Sequence, residues 1–398
     1  MMERSSLGRD VLMISFSAFF ADLGYQAVIA GYPLYLTVAL GAPVFVYGIA
    51  EALNYGVGSL FSYIGGRISD RFGRKRVAIV GNSLIPILSF TGLVRSVPGA
   101  VATFASGWWS RNFRSPARRA LLASAAGPED RSRAFAFLHS LDVGGGMIAT
   151  VLVILLLLIR LPLYEIFLFT VPPLVISTLL LVPVRDSGRQ AEGAGSQGKY
   201  VMSRAAFFSV LAGTALFGFS YYSAGFTIIV SERISGSEEL GVLSYTILMA
   251  ASSLTGFALS RFRLRKDLFL LSLPGYLLAG ISSLGISASI VFGAGLPGVY
   301  TAVALLGVSL GFVETLEPTI ISRAVSASGT GRGMGSLSGM RSVGLFLSNL
   351  AMGTLFSVQP YYAFYYATAV STAAAILVMC GSILENRWKN NGAPATVN

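Results

Sequence analysis

The feature that most constrains this chain is a succession of long apolar runs separated by short polar stretches. Crossing the ~30 Å hydrocarbon core of a bilayer takes about 20 apolar residues in a helix. In that medium only helices and closed barrels satisfy all their own backbone hydrogen bonds. Runs of this length lie near residues 11–40, 44–66, 77–95, 98–123, 134–158 and 163–184. After a polar stretch at 185–203, six more lie near 204–230, 240–260, 267–290, 298–322, 334–357 and 361–384. The layout predicts an all-α membrane protein of twelve transmembrane helices in two six-helix halves. The N-terminal half is 1–184, the linker 185–203, the C-terminal half 204–386 and the tail 387–398. Twelve spans of ~22 residues leave loops of about ten residues each, so no separate soluble domain is expected. The first run is too long for the apolar core of a signal peptide and reads as a first span.

Composition agrees with this reading. Hydrophobic residues make up 54% of the chain, charged residues only 12%, and the mean hydropathy is +0.69. Soluble chains carry roughly 25% charge. A single cysteine, Cys380, excludes a disulfide framework, and a single histidine, His139, argues against a His-based metal site. Neither a metal nor another cofactor is expected.

The net charge of +11 does not point to nucleic acid, because the basic residues sit in short runs between the apolar segments. With the N-terminus inside, 23 of the 29 Lys and Arg residues flank cytoplasmic ends. Three (Arg95, Arg160 and Arg233) fall outside, and three (Arg111, Arg114 and Arg341) fall within spans. Such a bias sets orientation in membrane proteins. It predicts a multi-pass plasma-membrane protein with both termini and the Gly/Ser-rich linker in the cytoplasm.

The two halves resemble each other. Residues 133–145 and 332–344 align at a shift of 199, which sets Arg341 against Asp142. The preceding spans each carry a proline, Pro116 and Pro318, and the basic loops at 69–75 and 260–266 also correspond. Parallel repeats of this kind build transporters whose site lies at the repeat interface.

The loop after the second span reads Gly66-Arg67-Ile68-Ser69-Asp70-Arg71-Phe72-Gly73-Arg74-Lys75-Arg76. In order and position it resembles the signature Gly-x-Leu-x-Asp-Arg-x-Gly-Arg-Arg-Arg of the major facilitator superfamily, with Ile68 in the Leu place. The counterpart at 260–266 keeps the bases and lacks Asp and Gly. Physically, Gly66 permits a close helix approach. Asp70 suits the positive end of another helix, Arg71 and Arg74 can pair with it, and Gly73 supplies a turn. The resemblance implies that Asp70 docks on the start of span 11, near 333–336, when the transporter faces outward.

A second resemblance, to a group of prokaryotic facilitators, lies in residues 114–123 and 129–135, together with Asp22 and Asp142. Arg119 departs from that pattern, which has Asp. The Gly144-Gly145-Gly146 run has no following proline and so does not match the signature of drug antiporters.

Ionisable side chains inside spans are costly and default to function. At 1.5 Å per residue, Asp22, Arg111 and Asp142 lie about 17, 18 and 14 Å deep, near the midplane. Arg114 shares a helix face with Arg111. Asp22 with Arg111 or Arg114 is therefore expected to form the cavity cluster, with Asp142 as a further acid. On span 10, Glu314 and Glu317 share a face, and Arg341 is expected to pair with one of them, for structure or for transport. His139 reads as a packed neutral histidine. No phosphate loop is present, since the Gly-rich stretch at 329–333 lacks a Gly-Lys-Ser/Thr ending, and no catalytic dyad appears.

The expected function is secondary transport, not catalysis. A monomer would move a small solute across the lipid bilayer by alternating access, coupled to protons, in the direction of export of an amphipathic compound or metabolite. Two alternatives stay open. One is proton-linked uptake of a small organic anion, favoured by Arg111, Arg114 and Arg341. The other is a non-transporting receptor or scaffold on the same fold.

Overall fold

The computed structural model describes residues 8–126, 130–186, 203–260, 267–324 and 330–390, and these are all-helical apart from turns. Most of the linker and the second basic loop at 261–266 lie outside the described residues.

The helices of the first part are α1 (Arg9–Leu34), α2 (Val44–Phe72), α3 (Arg74–Leu84), α4 (Val97–Ala125), α5 (Arg131–Leu158), α6 (Leu163–Leu168) and α7 (Val171–Leu181). A π-helical turn, Tyr35–Ala39, extends α1, and a 3-10 segment, Ile85–Leu93, extends α3. The second part holds α8 (Arg204–Gly218), α9 (Gly225–Ser235), α10 (Glu238–Ser260), α11 (Asp267–Leu270), α12 (Leu278–Val291), α13 (Gly295–Ala324), α14 (Thr330–Val358) and α15 (Pro360–Asn390). Among the described residues, nine stretches are long and apolar enough to cross a membrane. The α4 helix, with Arg111, Arg114, Arg118 and Arg119, and the broken pair α8 and α9 are not among them.

The chain forms two compact units. The first comprises Met1–Ala42, Leu53–Glu192 and Ser237–Thr246; the second comprises Pro43–Ala52, Gly193–Gly236 and Ile247–Asn398. The start of α2 thus belongs with the second unit, where Tyr47 bonds Ser223 at 2.8 Å and the backbone N–H of Phe45 donates to Ser357. The start of α10 belongs with the first, where Tyr245 donates to Gln26 at 2.9 Å.

In the first unit α1 packs chiefly on α5 and α7, and α3 on α4. In the second, α15 packs on α8 and α12, and α12 on α13. Small residues set the closest crossings, because helices embedded in lipid associate through tight packing. A Cβ on Gly145 of α5 would strike the Phe19 carbonyl of α1. A Cβ on Gly344 of α14 would come within 2.8 Å of the Gly218 Cα of α8. Both members of the second pair lie 199 residues beyond those of the first, so the sequence repeat recurs as a repeated contact.

Candidate functional site

Among the described residues, each unit carries a cluster of ionisable side chains within its helices. In the first unit, Asp22 on α1 is buried, and Tyr25, one turn on, donates its hydroxyl to Asp22 Oδ1. Arg111 on α4 reaches the Tyr25 oxygen at 3.3 Å. Its guanidinium carbon lies 4.9 Å from the Tyr25 ring and 4.7 Å from the Trp108 ring, held between two aromatic faces. Trp108 stacks on Phe104, which stacks on Tyr32 at 3.8 Å. Tyr25 therefore stands between Asp22 and Arg111.

Asp142, on α5, lies near Asp22 as a second carboxylate. Asp22 Oδ2 and Asp142 Oδ1 are both buried and receive no hydrogen bond from a donor. The other Asp142 oxygen accepts from Arg118 on α4 at 3.3 Å. Arg118 is 6% exposed and keeps two buried donors, Nε and Nη1, without an acceptor.

Arg114 is placed differently. It is fully buried and donates to Asn82 Oδ1 on α3. The Asn82 amide in turn donates to Ser177 at 3.0 Å and Thr178 at 2.8 Å on α7, and Ser17 of α1 donates to the Ser177 carbonyl at 2.7 Å. Arg114 thus ties α4, α3, α7 and α1 together, while Arg118 supplies the cation beside the two carboxylates.

In the second unit, Arg341 on α14 bonds Glu314 and lies 3.5 Å from Glu317 Oε2, both on α13. Tyr276 donates to Glu317 Oε1 at 2.6 Å, and Thr214 shares the same hydroxyl at 3.0 Å. The Arg341 guanidinium lies 4.9 Å from the Tyr221 ring. Glu317 is buried, whereas the side chain of Glu314 is half exposed. The same shift of 199 maps Arg118 to Glu317, Asp142 to Arg341 and Asp22 to Tyr221.

In the loop between α2 and α3, Gly73 adopts φ 97°, a conformation that favours glycine, and α3 begins at the next residue. The close crossing of α2 on α4 falls at Gly65, where a Cβ would meet the Phe113 carbonyl, while Gly66 only touches Pro116. Asp70 and Arg71 are exposed, and Arg74 Nη1 approaches the Ala120 carbonyl at 3.5 Å. Asp186 accepts from the Lys75 backbone N–H at 3.1 Å, at the start of α3. The side chains at 333–336, the expected partner of Asp70, lie outside the described residues. His139 is exposed on α5 and so is not the packed histidine expected.

Sequence reasoning passed over Arg118, which it counted as a cytoplasmic flank, and also Tyr25, Asn82, Tyr221 and Tyr276. The shift of 199 carried the signal for two of them, since it places Arg118 on Glu317 and Tyr221 on Asp22.

The sequence model of the Major Facilitator Superfamily matches residues 14–347. No curated protein matches the chain. Among solved structures, a mutant of the nucleoside transporter NupG is similar at a TM-score of 0.75 and 12% identity, covering 94% of this chain and 99% of that one. A POT family transporter in complex with 5-aminolevulinic acid is similar at 0.74 and 12%, covering 95% and 96%. The xylose transporter XylE from E. coli, in an inward-open conformation, is similar at 0.72 and 13%, covering 93% and 95%.

Proposed function

Since the chain belongs to the Major Facilitator Superfamily, we propose that it is a proton-coupled secondary transporter exporting an amphipathic compound or metabolite. The observation that carries the reading is the pair of carboxylates, Asp22 and Asp142, each with a buried oxygen that receives no donor. Two carboxylates this close resist joint ionisation. One proton between them satisfies both orphan oxygens.

Arg118 is the switching partner of the pair. With the proton absent, its unused donors favour a second carboxylate, and with the proton present it holds Asp142 alone. Rocking of the two halves would alternate these arrangements and expose the site to each side in turn. Arg111, held by Tyr25 and Trp108 and recorded in no ion pair with a described residue, faces the solute. The loop residues Gly66, Asp70, Arg71, Gly73 and Arg74 serve the gate, and Glu314, Glu317 and Arg341 hold the second half. The protein works as a monomer in the plasma membrane.

The uncommitted cation at Arg111, framed by aromatic rings, also favours the second reading, proton-linked uptake of a small organic anion. Proteoliposome flux separates the two. With a pH gradient imposed in either sense, an exporter moves solute opposite to the proton flow and an uptake system moves it along. Solute flux that ignores the pH gradient in both senses would overturn proton coupling.

A further inference from the structure

We propose that the first unit carries a site for an anionic phospholipid, with one acyl chain in a groove between α5 and α6–α7 and its phosphate on Arg160. The groove is a cavity of about 290 Å³. Its floor is Ala27, Ala149 and Val153, all buried, and its rim is Leu152, Phe169 and Ile176, all exposed.

The chain creates this groove by interruption. The helix breaks at Phe169 and Thr170 between α6 and α7, and Pro172 and Pro173 follow at once. The Thr170 hydroxyl turns inward to the Phe167 carbonyl at 2.6 Å and to Ser89 at 2.6 Å, so it leaves the wall apolar. Around the groove, Val151, Leu155, Leu158, Ile159, Val175 and Leu179 are exposed. A face of this kind on a membrane-spanning protein is solvated by acyl chains.

Charge selects the lipid. The lining stripe Ala149, Leu152, Val153 and Leu156 climbs one face of α5, and Arg160 stands one turn beyond Leu156, where the helix ends. Arg160 has φ 66°, the only positive φ outside glycine among the described residues. Its N–H donates to the Leu157 carbonyl, and that of Leu161 donates to the Leu156 carbonyl, the closure at which helices commonly place glycine. An arginine at this strained position is exposed and takes part in no recorded ion pair with a described residue. Its guanidinium matches a phosphate in bidentate geometry.

The test uses the full-length protein in vesicles. Ile176→Trp places a fluorescent reporter on the rim, read against the same chain without it. Phosphatidylglycerol with brominated acyl chains should half-quench this reporter at a mole fraction about fivefold lower than brominated phosphatidylcholine, the factor given by about 1 kcal/mol for one basic residue at an anionic surface. Arg160→Gly suits the left-handed backbone, so the variant should fold and unfold at the same or a higher temperature, and the fivefold preference should vanish. Equal quenching by the two lipids in the Ile176→Trp protein overturns the site. Retention of the full preference in Arg160→Gly overturns the role of Arg160.

Discussion

Arg118 and Asp142 pair across α4 and α5 at 3.3 Å, and 199 residues later Glu317 and Arg341 pair across α13 and α14 at 3.5 Å with the charges exchanged. Both pairs join corresponding positions of the repeat, so the geometry accepts either polarity. What differs is the surroundings. Asp142 neighbours a second acid, Asp22, whereas Arg341 has Glu314, Glu317 and the Tyr221 ring. The first cluster thus sets two acids beside one arginine at Asp142, and the second sets one arginine on two glutamates, with Glu317 Oε2 also buried and without a hydrogen-bond donor.

This relationship predicts a charge-swap rescue. Arg118→Ala leaves the partly buried Asp142 without its ion-pair partner, a loss below the roughly 3–5 kcal/mol of a fully buried pair. Exchanging the pair, Arg118→Glu with Asp142→Arg, copies the polarity of the second unit. It should recover most of the lost thermal stability in detergent while still abolishing proton-driven flux. A double variant no more stable than Arg118→Ala would show that the two positions are not interchangeable.

Asp22→Asn should uncouple transport. The amide supplies a neutral group in place of the protonated acid, so solute exchange across proteoliposomes should continue while uphill movement driven by a pH gradient is lost. Concentration of solute against its gradient by the variant would make Asp22 structural and leave the proton to Asp142. Loss of exchange in a folded variant would instead make Asp22 a solute contact.

Asn82→Leu should destabilise the first unit without touching the carboxylates. It removes the acceptor of the fully buried Arg114 and the donor to Ser177 and Thr178. Leaving a buried charged donor unsatisfied costs about 3 kcal/mol. Thermal unfolding should shift down sharply, and the residual folded protein should keep its solute affinity. A variant that unfolds like the parent but has lost solute binding would move Arg114 from packing into the site.

Orientation is open to direct labelling. A cysteine replacing Ser196 in the linker, in a Cys380→Ser background, should react with an impermeant maleimide only after the membrane is permeabilised. Labelling in intact cells would reverse the topology.

Much of the fold was legible in the sequence because the bilayer imposes a length and a polarity on each helix one at a time. Runs of about 20 apolar residues declare themselves without reference to their neighbours. The loop motif at 66–76, the shift of 199 and the intramembrane charges were local features of the same sort. Gly73 could be placed at a turn from its position alone. Which charges meet was a different matter. Arg111, Arg114 and Arg118 stand at intervals of three and four on one helix, so spacing assigns all three to neighbouring positions on a face. Only the packing of α3, α5 and α1 around α4 sends Arg114 to Asn82, Arg118 to Asp142 and Arg111 to Tyr25. The sequence determined the membrane class, the family and most of the charged residues within the spans, Arg118 excepted, since each follows from one segment and its solvent. Tertiary structure decided the partners of the three arginines of α4, because a hydrogen bond or ion pair depends on ångström-scale contact between helices far apart along the chain.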